Sequence, residues 1–165
     1  MSRCQLRDIA LDHVPFVQTY AADRLISDTT ASIPHPYPID AAEKFIQQAM
    51  HDRSAMKAFV HAVYVNDQFV GVASLFHVKW DILEAEIGYW IGVPFWRRGY
   101  ATQAVALLLL KAERLGLTAL VGKCLARNPA SRHVMEKVGF TFEKESIGCG
   151  QHAADAVFEF RKSVG

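Results

Sequence analysis

Cysteine is scarce and scattered: Cys4, Cys124 and Cys149 are the only three in 165 residues, and no CxxC pair occurs. An odd number at wide spacing argues against a disulfide framework and against a zinc knuckle, and it fits a reducing cytosol. Long apolar runs are also missing. No stretch approaches the roughly 18 residues of a membrane span, and Arg7, Asp8 and Asp12 interrupt the N-terminal segment where a secretory signal needs an unbroken apolar core. A soluble, unprocessed cytoplasmic protein without a membrane partner is expected. Nor is there an excess of one charge. Eighteen Lys+Arg stand against 17 Asp+Glu, which disfavours a nucleic-acid-binding surface and a polybasic anchor. An anionic ligand must therefore be held by local geometry. Internal repeats and low-complexity tracts are absent.

What is present is 51% hydrophobic composition, enough for one substantial core, so residues 1–165 are expected to form a single domain. Cys4 to Ala10 reads as a strand, and Asp12 is placed to cap a helix carrying Val14, Val17 and Tyr20. Three prolines between Ser27 and Pro38 predict a loop, long enough to serve as a substrate lid. Asp40 caps a second helix with an apolar stripe of Ala42, Phe45, Ile46 and Ala49. AFVHAVYV, then Asn66-Asp67, then QFVGVASLFHV is a β-hairpin pattern, and Ala85 to Val93 adds a third strand.

Tyr100 to Leu115 is apolar around most of a helical circumference and is closed by Gly116, predicting a deeply packed helix. TALVGKC follows as a strand. Asn128-Pro129 starts a helix that ends at Gly139, and FTFEKES and AVFEFRK alternate like two closing strands. The order β-α-α-β-β-β-α-β-α-β-β predicts an α/β fold, a mixed sheet with helices on both faces.

The most informative segment is EIGYWIGVPFWRRGYATQA: a strand, Pro94, a basic turn with Gly99, then a helix N-terminus. Such a turn directs successive backbone N–H groups outward beside the positive end of a helix, a seat for phosphate or pyrophosphate, with Arg97 and Arg98 adding full charges. Read on the turn alone, Pro94 and Gly99 serve equally to reverse the chain and the arginines to form a solvated face. Neither GxxxxGK[ST] nor GxGxxG is present here.

Followed by NPASRHVMEKVGF, this segment resembles the GNAT superfamily of N-acetyltransferases, in the branch that contains the ribosomal-protein N-terminal acetyltransferases. The likeness is strongest from Glu86 to Phe140. It implies a mixed, mostly antiparallel sheet of six to seven strands and an acetyl-coenzyme A co-substrate, with no metal. The superfamily's QxxGxG/A turn falls on Trp96, Arg97, Arg98, Gly99, Tyr100 and Ala101, which implies that amides around Arg98, Gly99, Ala101 and Thr102 hold the pyrophosphate. Trp96 stands where Gln or Arg is common. The resemblance also places Ile91, Gly92 and Val93 beside the pantetheine arm, with the Val93 amide aimed at the thioester carbonyl. Asn128 matches an asparagine that contacts pantetheine, though Asn before Pro is equally an ordinary helix cap.

Acetyl transfer requires a neutral amine, so a base must take a proton from the ammonium. Glu86 is the first candidate and Glu84 its substitute, each being equally readable as a solvated strand-edge charge. The tyrosine that relatives use to protonate the leaving thiolate is replaced by Met135. Ser131 is the implied substitute, with Tyr89 and Tyr100 as further donors. The histidines, among them His61, His77 and His133, show no metal-ligand spacing and read mainly as background, a histidine base being the lesser alternative to Glu86, and Cys124 reads as core. The acceptor is expected to be a peptide N-terminus or a small-molecule amine, met by a monomer or a homodimer. A non-catalytic acyl-coenzyme A sensor is the alternative.

Overall fold

Asn66 and Asp67 both take positive φ, 49° and 60°, the backbone of a tight hairpin turn whose twist matches that of its strands. They join β2 (Phe59–Val65) to β3 (Gln68–Lys79), as the sequence predicts. In the computed structural model, residues 2–148 and 152–165 are described, and Cys149 lies outside them. The remaining strands are β1 (Cys4–Asp8), β4 (Glu84–Ile91), β5 (Ala119–Leu125), β6 (Thr141–Ile147) and β7 (Ala156–Ser163). One seven-stranded sheet results, in the order β1-β2-β3-β4-β5-β7-β6. Every pairing is antiparallel except β4 with β5, which is parallel.

Helices cover both faces. Between β4 and β5 runs α4 (Tyr100–Arg114), whose buried Ala104, Leu108 and Ala112 recur every four residues. The two alanines let the helix axis approach the sheet, and burying Leu108 between them contributes about 2 kcal/mol. Next to it lies α5 (Pro129–Val138). Its fully buried Met135 packs over Gly122 on β5, where an added Cβ would stand 2.4 Å from the Met135 sulfur. On the opposite face α1 (Val14–Ala21) and α3 (Ala41–Ser54) close a second cluster built on Val17, Ala42, Ile46, Val60, Phe69 and Val72.

Three local expectations are corrected. Ser27 to Thr29 belong to a short helix, α2 (Arg24–Thr29), not to the loop, because Asp23 caps it by accepting from the Leu25 N–H and the prolines begin only after it. Asp12 does not cap α1; it lies inside a 3-10 turn, Leu11–His13, and the Ala10 N–H donates to the His13 ring instead. Asp40 stands at the N-cap of α3, but its carboxylate is drawn 2.7 Å from Lys44 and makes no capping bond.

Candidate active site

The parallel ladder between β4 and β5 is short. It runs from Glu84 opposite Ala119 to Ile87 opposite Gly122 and then stops. Beyond that point Gly88–Ile91 pair only with β3, and Lys123–Leu125 only with β7, so the two strands part as a fork. The Gly92 N–H donates to the Val70 carbonyl at 2.8 Å. In an antiparallel ladder this makes Gly71 and Ile91 a non-hydrogen-bonded pair, which turns the N–H and C=O of Ile91 and, two residues earlier, Tyr89 away from β3 and into the fork. The Ile91 carbonyl already has a partner, the Trp96 indole N–H at 2.7 Å. Of the three residues expected beside pantetheine, Gly92 has its amide occupied, whereas Val93 has no acceptor for its N–H among the described residues.

Past the fork the chain makes a 3-10 turn, Val93–Phe95, and reaches the basic loop. Arg97 and Gly99 both adopt left-handed backbone, with φ of 64° and 79°. Nothing stands within 4 Å of where a Gly99 side chain would start, so glycine is required there by conformation and not by space. The first helical bond of α4 joins the Gln103 N–H to the Gly99 carbonyl. The Arg98 N–H closes the turn over Trp96 and Arg97, whereas the amides of Arg97, Gly99, Tyr100, Ala101 and Thr102 have no acceptor among the described residues. Unsatisfied donors gathered at a helix N-terminus are suited to seat an anion. Arg97 and Arg98 make no ion pair among the described residues, leaving both guanidinium groups available to the same anion.

Across the fork, Asn128 caps α5. Its Oδ1 accepts from the Ser131 N–H at 3.3 Å, while its amide nitrogen has no partner among the described residues and remains a donor. The Ser131 hydroxyl lies 2.6 Å from Tyr89 Oη. Burial pushes the Tyr89 phenol up to about 12, with the Ser131 hydrogen bond pulling the other way, so the ring keeps its proton. The sequence offers Tyr89 only as a further donor after Ser131. Its partner lies 42 residues away, and no local pattern signals the contact.

Glu86 occupies the other face of β4. Tyr89 packs with α4 and α5 whereas Trp90 packs with the α1 and α3 cluster, so even-numbered residues of this strand face the second side. At the foot of the fork Glu86 Oε2 lies 3.0 Å from His77 Nδ1 and Oε1 lies 3.5 Å from Lys123 Nζ. Glu84 is paired to Arg161. His77 was read as background, yet the structure joins it to the candidate base. The remaining candidates are structural. Burial raises the Cys124 thiol to about 11, unsuited to a nucleophile, and burial lowers the neutral core residue His61 to about 4. No group of three or more His, Cys, Asp or Glu able to hold a metal occurs among the described residues.

Helix α2 and the connection between β6 and β7 are joined by His152. Its Nε2 lies 2.8 Å from the Thr30 carbonyl, and its Nδ1 lies 3.0 Å from Asp155. This contact anchors the start of the proline loop that the sequence marks as a lid.

Comparison with known proteins agrees with this architecture. Residues 3–141 match the family described as Acetyltransferase (GNAT) domain. The ribosomal-protein-serine acetyltransferase of Escherichia coli (strain K12) is 31% identical over 105 residues, 63% of this chain, and the match spans only 55% of that relative's own length. Among solved structures, a ribosomal alpha-N-protein acetyltransferase in complex with coenzyme A superposes with a TM-score of 0.90 at 20% identity, over 98% of this chain and 94% of the other. The spermidine N-acetyltransferase from Vibrio cholerae, in complex with coenzyme A and spermine, gives a TM-score of 0.86 at 18% identity, over 98% and 96% of the two chains.

Proposed function

The chain belongs to the acetyltransferase (GNAT) domain family, and from that premise we propose that it transfers an acetyl group from acetyl-coenzyme A to a primary amine by direct attack in a ternary complex. The observation that carries this reading is the run of free amides from Gly99 to Thr102 standing beside the open fork. The pyrophosphate would sit on those amides with Arg97 and Arg98, and the pantetheine arm would lie in the fork against Ile91, Gly92 and Val93. Asn128 supports it through its free amide nitrogen. The thioester then falls within the fork, between the inward-facing amides of Tyr89 and Ile91, which polarise the carbonyl, and the Ser131 hydroxyl, which gives its proton to the leaving thiolate and is replenished from Tyr89, while the Val93 N–H lies further up against the pantetheine arm.

The buried Met135 explains why no tyrosine acid occupies α5: the position is core, sealed against Gly122. Tyr89 brings a phenol to the same helix from β4. This weakens the sensor alternative, whose basis was the lack of that acid. The basic group centres on Glu86, which faces the side of the sheet away from Tyr89 and Ser131. The acceptor we favour is a protein N-terminus, on the strength of the relatives named above, with a small polyamine or amino acid second. The scarcity of cysteine and the balanced charge favour the cytosol.

Release of free coenzyme A thiol from acetyl-coenzyme A tests this, measured with peptides of varied N-terminal residue, polyamines and amino acids. Stimulation by one acceptor class, reduced about 100-fold in Glu86→Gln, is expected. Tight coenzyme A binding without stimulation by any acceptor would return the protein to the sensor reading.

A further inference from the structure

Resting on the acetyl-transfer reading, we infer that His77 is the general base of the reaction and that Glu86 holds its ring in place instead of taking the proton itself. Between the pairs Phe76 with Glu86 and Lys79 with Glu84, β3 contributes His77 and Val78 where β4 contributes only Ala85. In a regular strand His77 would face away from Phe76 and Glu86. The extra residue is a β-bulge, which redirects the side chain onto their face. There its ring stands edge to face with Phe76, centroids 4.6 Å apart, and places Nδ1 3.0 Å from Glu86 Oε2.

The backbone is held in this shape against its own preference. His77 has φ 49°, a left-handed conformation that few residues with a side chain adopt, histidine, Asn and Asp doing so most readily. Neighbouring bonds pin it: the Val78 N–H donates to the Lys57 carbonyl at 3.3 Å, and the Trp80 indole to the Met56 carbonyl at 2.8 Å. Strain maintained by surrounding structure and spent on aiming one polar side chain points to a role for that side chain.

Occupancy decides between the two candidate bases. Glu86 is 17% exposed and both of its oxygens already face a cationic or N–H group, His77 at 3.0 Å and Lys123 at 3.5 Å, which makes it a poorer proton acceptor than the exposed imidazole. A carboxylate only accepts, which puts the histidine proton on Nδ1 and leaves the Nε2 lone pair open. Nε2 has no partner among the described residues, and the side chain is 72% exposed, so a captured proton can pass to water. In the step itself the ammonium N–H bond breaks and its proton moves to Nε2. The freed nitrogen lone pair forms the C–N bond at the thioester carbonyl carbon. The C–S bond then breaks with its electrons going to sulfur, the thiolate gains one proton, and the new amide nitrogen loses its second, so one proton is released per turnover. The charged groups around the ring are Glu86 on β4, Lys123 beyond it on β5, Asp52 in the last turn of α3 and Lys57 just after that helix, with Lys79 two residues along its own strand.

Thiol release is measured from about pH 5 to about pH 9 for the native chain, His77→Asn, His77→Gly and Glu86→Gln. Asn and Gly both accept positive φ, so the variants keep the bulge, and thermal melting with coenzyme A binding checks this. The expected result is a fall of roughly 100-fold in kcat for both His77 variants. KM for acetyl-coenzyme A stays unchanged, the acidic limb of the pH profile disappears, and added imidazole partly restores His77→Gly. Activity within threefold of native, or an unaltered pH limb in His77→Asn, would overturn the inference while leaving acetyl transfer intact. A native chain inactive with every acceptor would overturn both.

Discussion

Tyr89 Oη and Ser131 Oγ lie 2.6 Å apart, and this contact ties the middle of β4 to the first turn of α5 across the mouth of the fork. Either hydroxyl can donate to the other, so a proton lost from Ser131 to a thiolate can be replaced from Tyr89. Tyr89→Phe should lower kcat about tenfold with little change in KM for acetyl-coenzyme A, whereas Ser131→Ala should lower it further, roughly 100-fold. Steady-state kinetics of the two single variants and the double variant check this. A double variant no worse than Ser131→Ala is expected, because the two groups act in series.

Alkaline stability should follow three buried acids. Burial raises Cys4 and Cys124 to about 11 and Tyr89 to about 12. A folded-state pKa above the unfolded one means that the native state binds more protons in between, so stability is intact below about pH 9 and falls as pH rises past it. Urea unfolding at increasing pH should show this decline, with Tyr89→Phe losing the part that begins near pH 10.

His61 predicts the opposite limb. Burial is the main reason that its pKa drops to about 4, with Lys111 and Arg53 adding to the fall while the Ala73 carbonyl and Asp8 oppose it. The unfolded chain therefore binds the proton more readily, and the stabilisation present above about pH 6.5 is lost as pH falls toward 4, on the order of 3 kcal/mol in all. Replacing His61 with Gln should flatten this acid limb in denaturant titrations.

The anion seat separates charge from conformation. Arg98→Ala should raise KM for acetyl-coenzyme A several-fold at unchanged kcat, and the difference should shrink in high salt. Arg97→Gly removes the same kind of charge but also relieves a left-handed residue, so it should weaken coenzyme A binding while raising the melting temperature, by about 1 kcal/mol of stability. Calorimetric binding and thermal melts distinguish the two effects.

Gly122 and Met135 should be coupled. A Cβ at Gly122 meets the Met135 sulfur at 2.4 Å, so Gly122→Ala should cost roughly 1–3 kcal/mol by overpacking. Met135→Ala alone should cost roughly 2–4 kcal/mol through the cavity it leaves. The double variant should lose less than the two together, as measured by denaturant unfolding.

Much of the fold was legible because its signals are local. Asn66-Asp67 need positive φ whatever surrounds them, Gly116 and Gly139 close their helices with left-handed backbone, and Asn128 caps the helix that follows it. The helix α2 was missed because the later prolines obscured the Asp23 cap. The site was legible in part for the same reason: a glycine turn opening a helix leaves its amides free by its own covalent geometry.

The remaining residues of the site depend on distance in the chain. His77 becomes a partner of Glu86 only when β3 bulges, and whether it bulges is decided by how β3 registers against β4 and by bonds from Lys57 and Met56. Tyr89 meets Ser131 only after α4 and β5 have brought α5 back across β4. Met135 becomes core because Gly122 lies beneath it.

The sequence by itself determined the order of elements, the position of the anion turn and the family, since hydrophobic period, capping residues and left-handed glycines act within a few residues of chain. Only the tertiary structure decided that Tyr89 meets Ser131 at the fork, which histidine joins Glu86 and that Met135 is sealed over Gly122. Those outcomes come from strand register and helix packing, where a one-residue shift sends a side chain to the opposite face of the sheet.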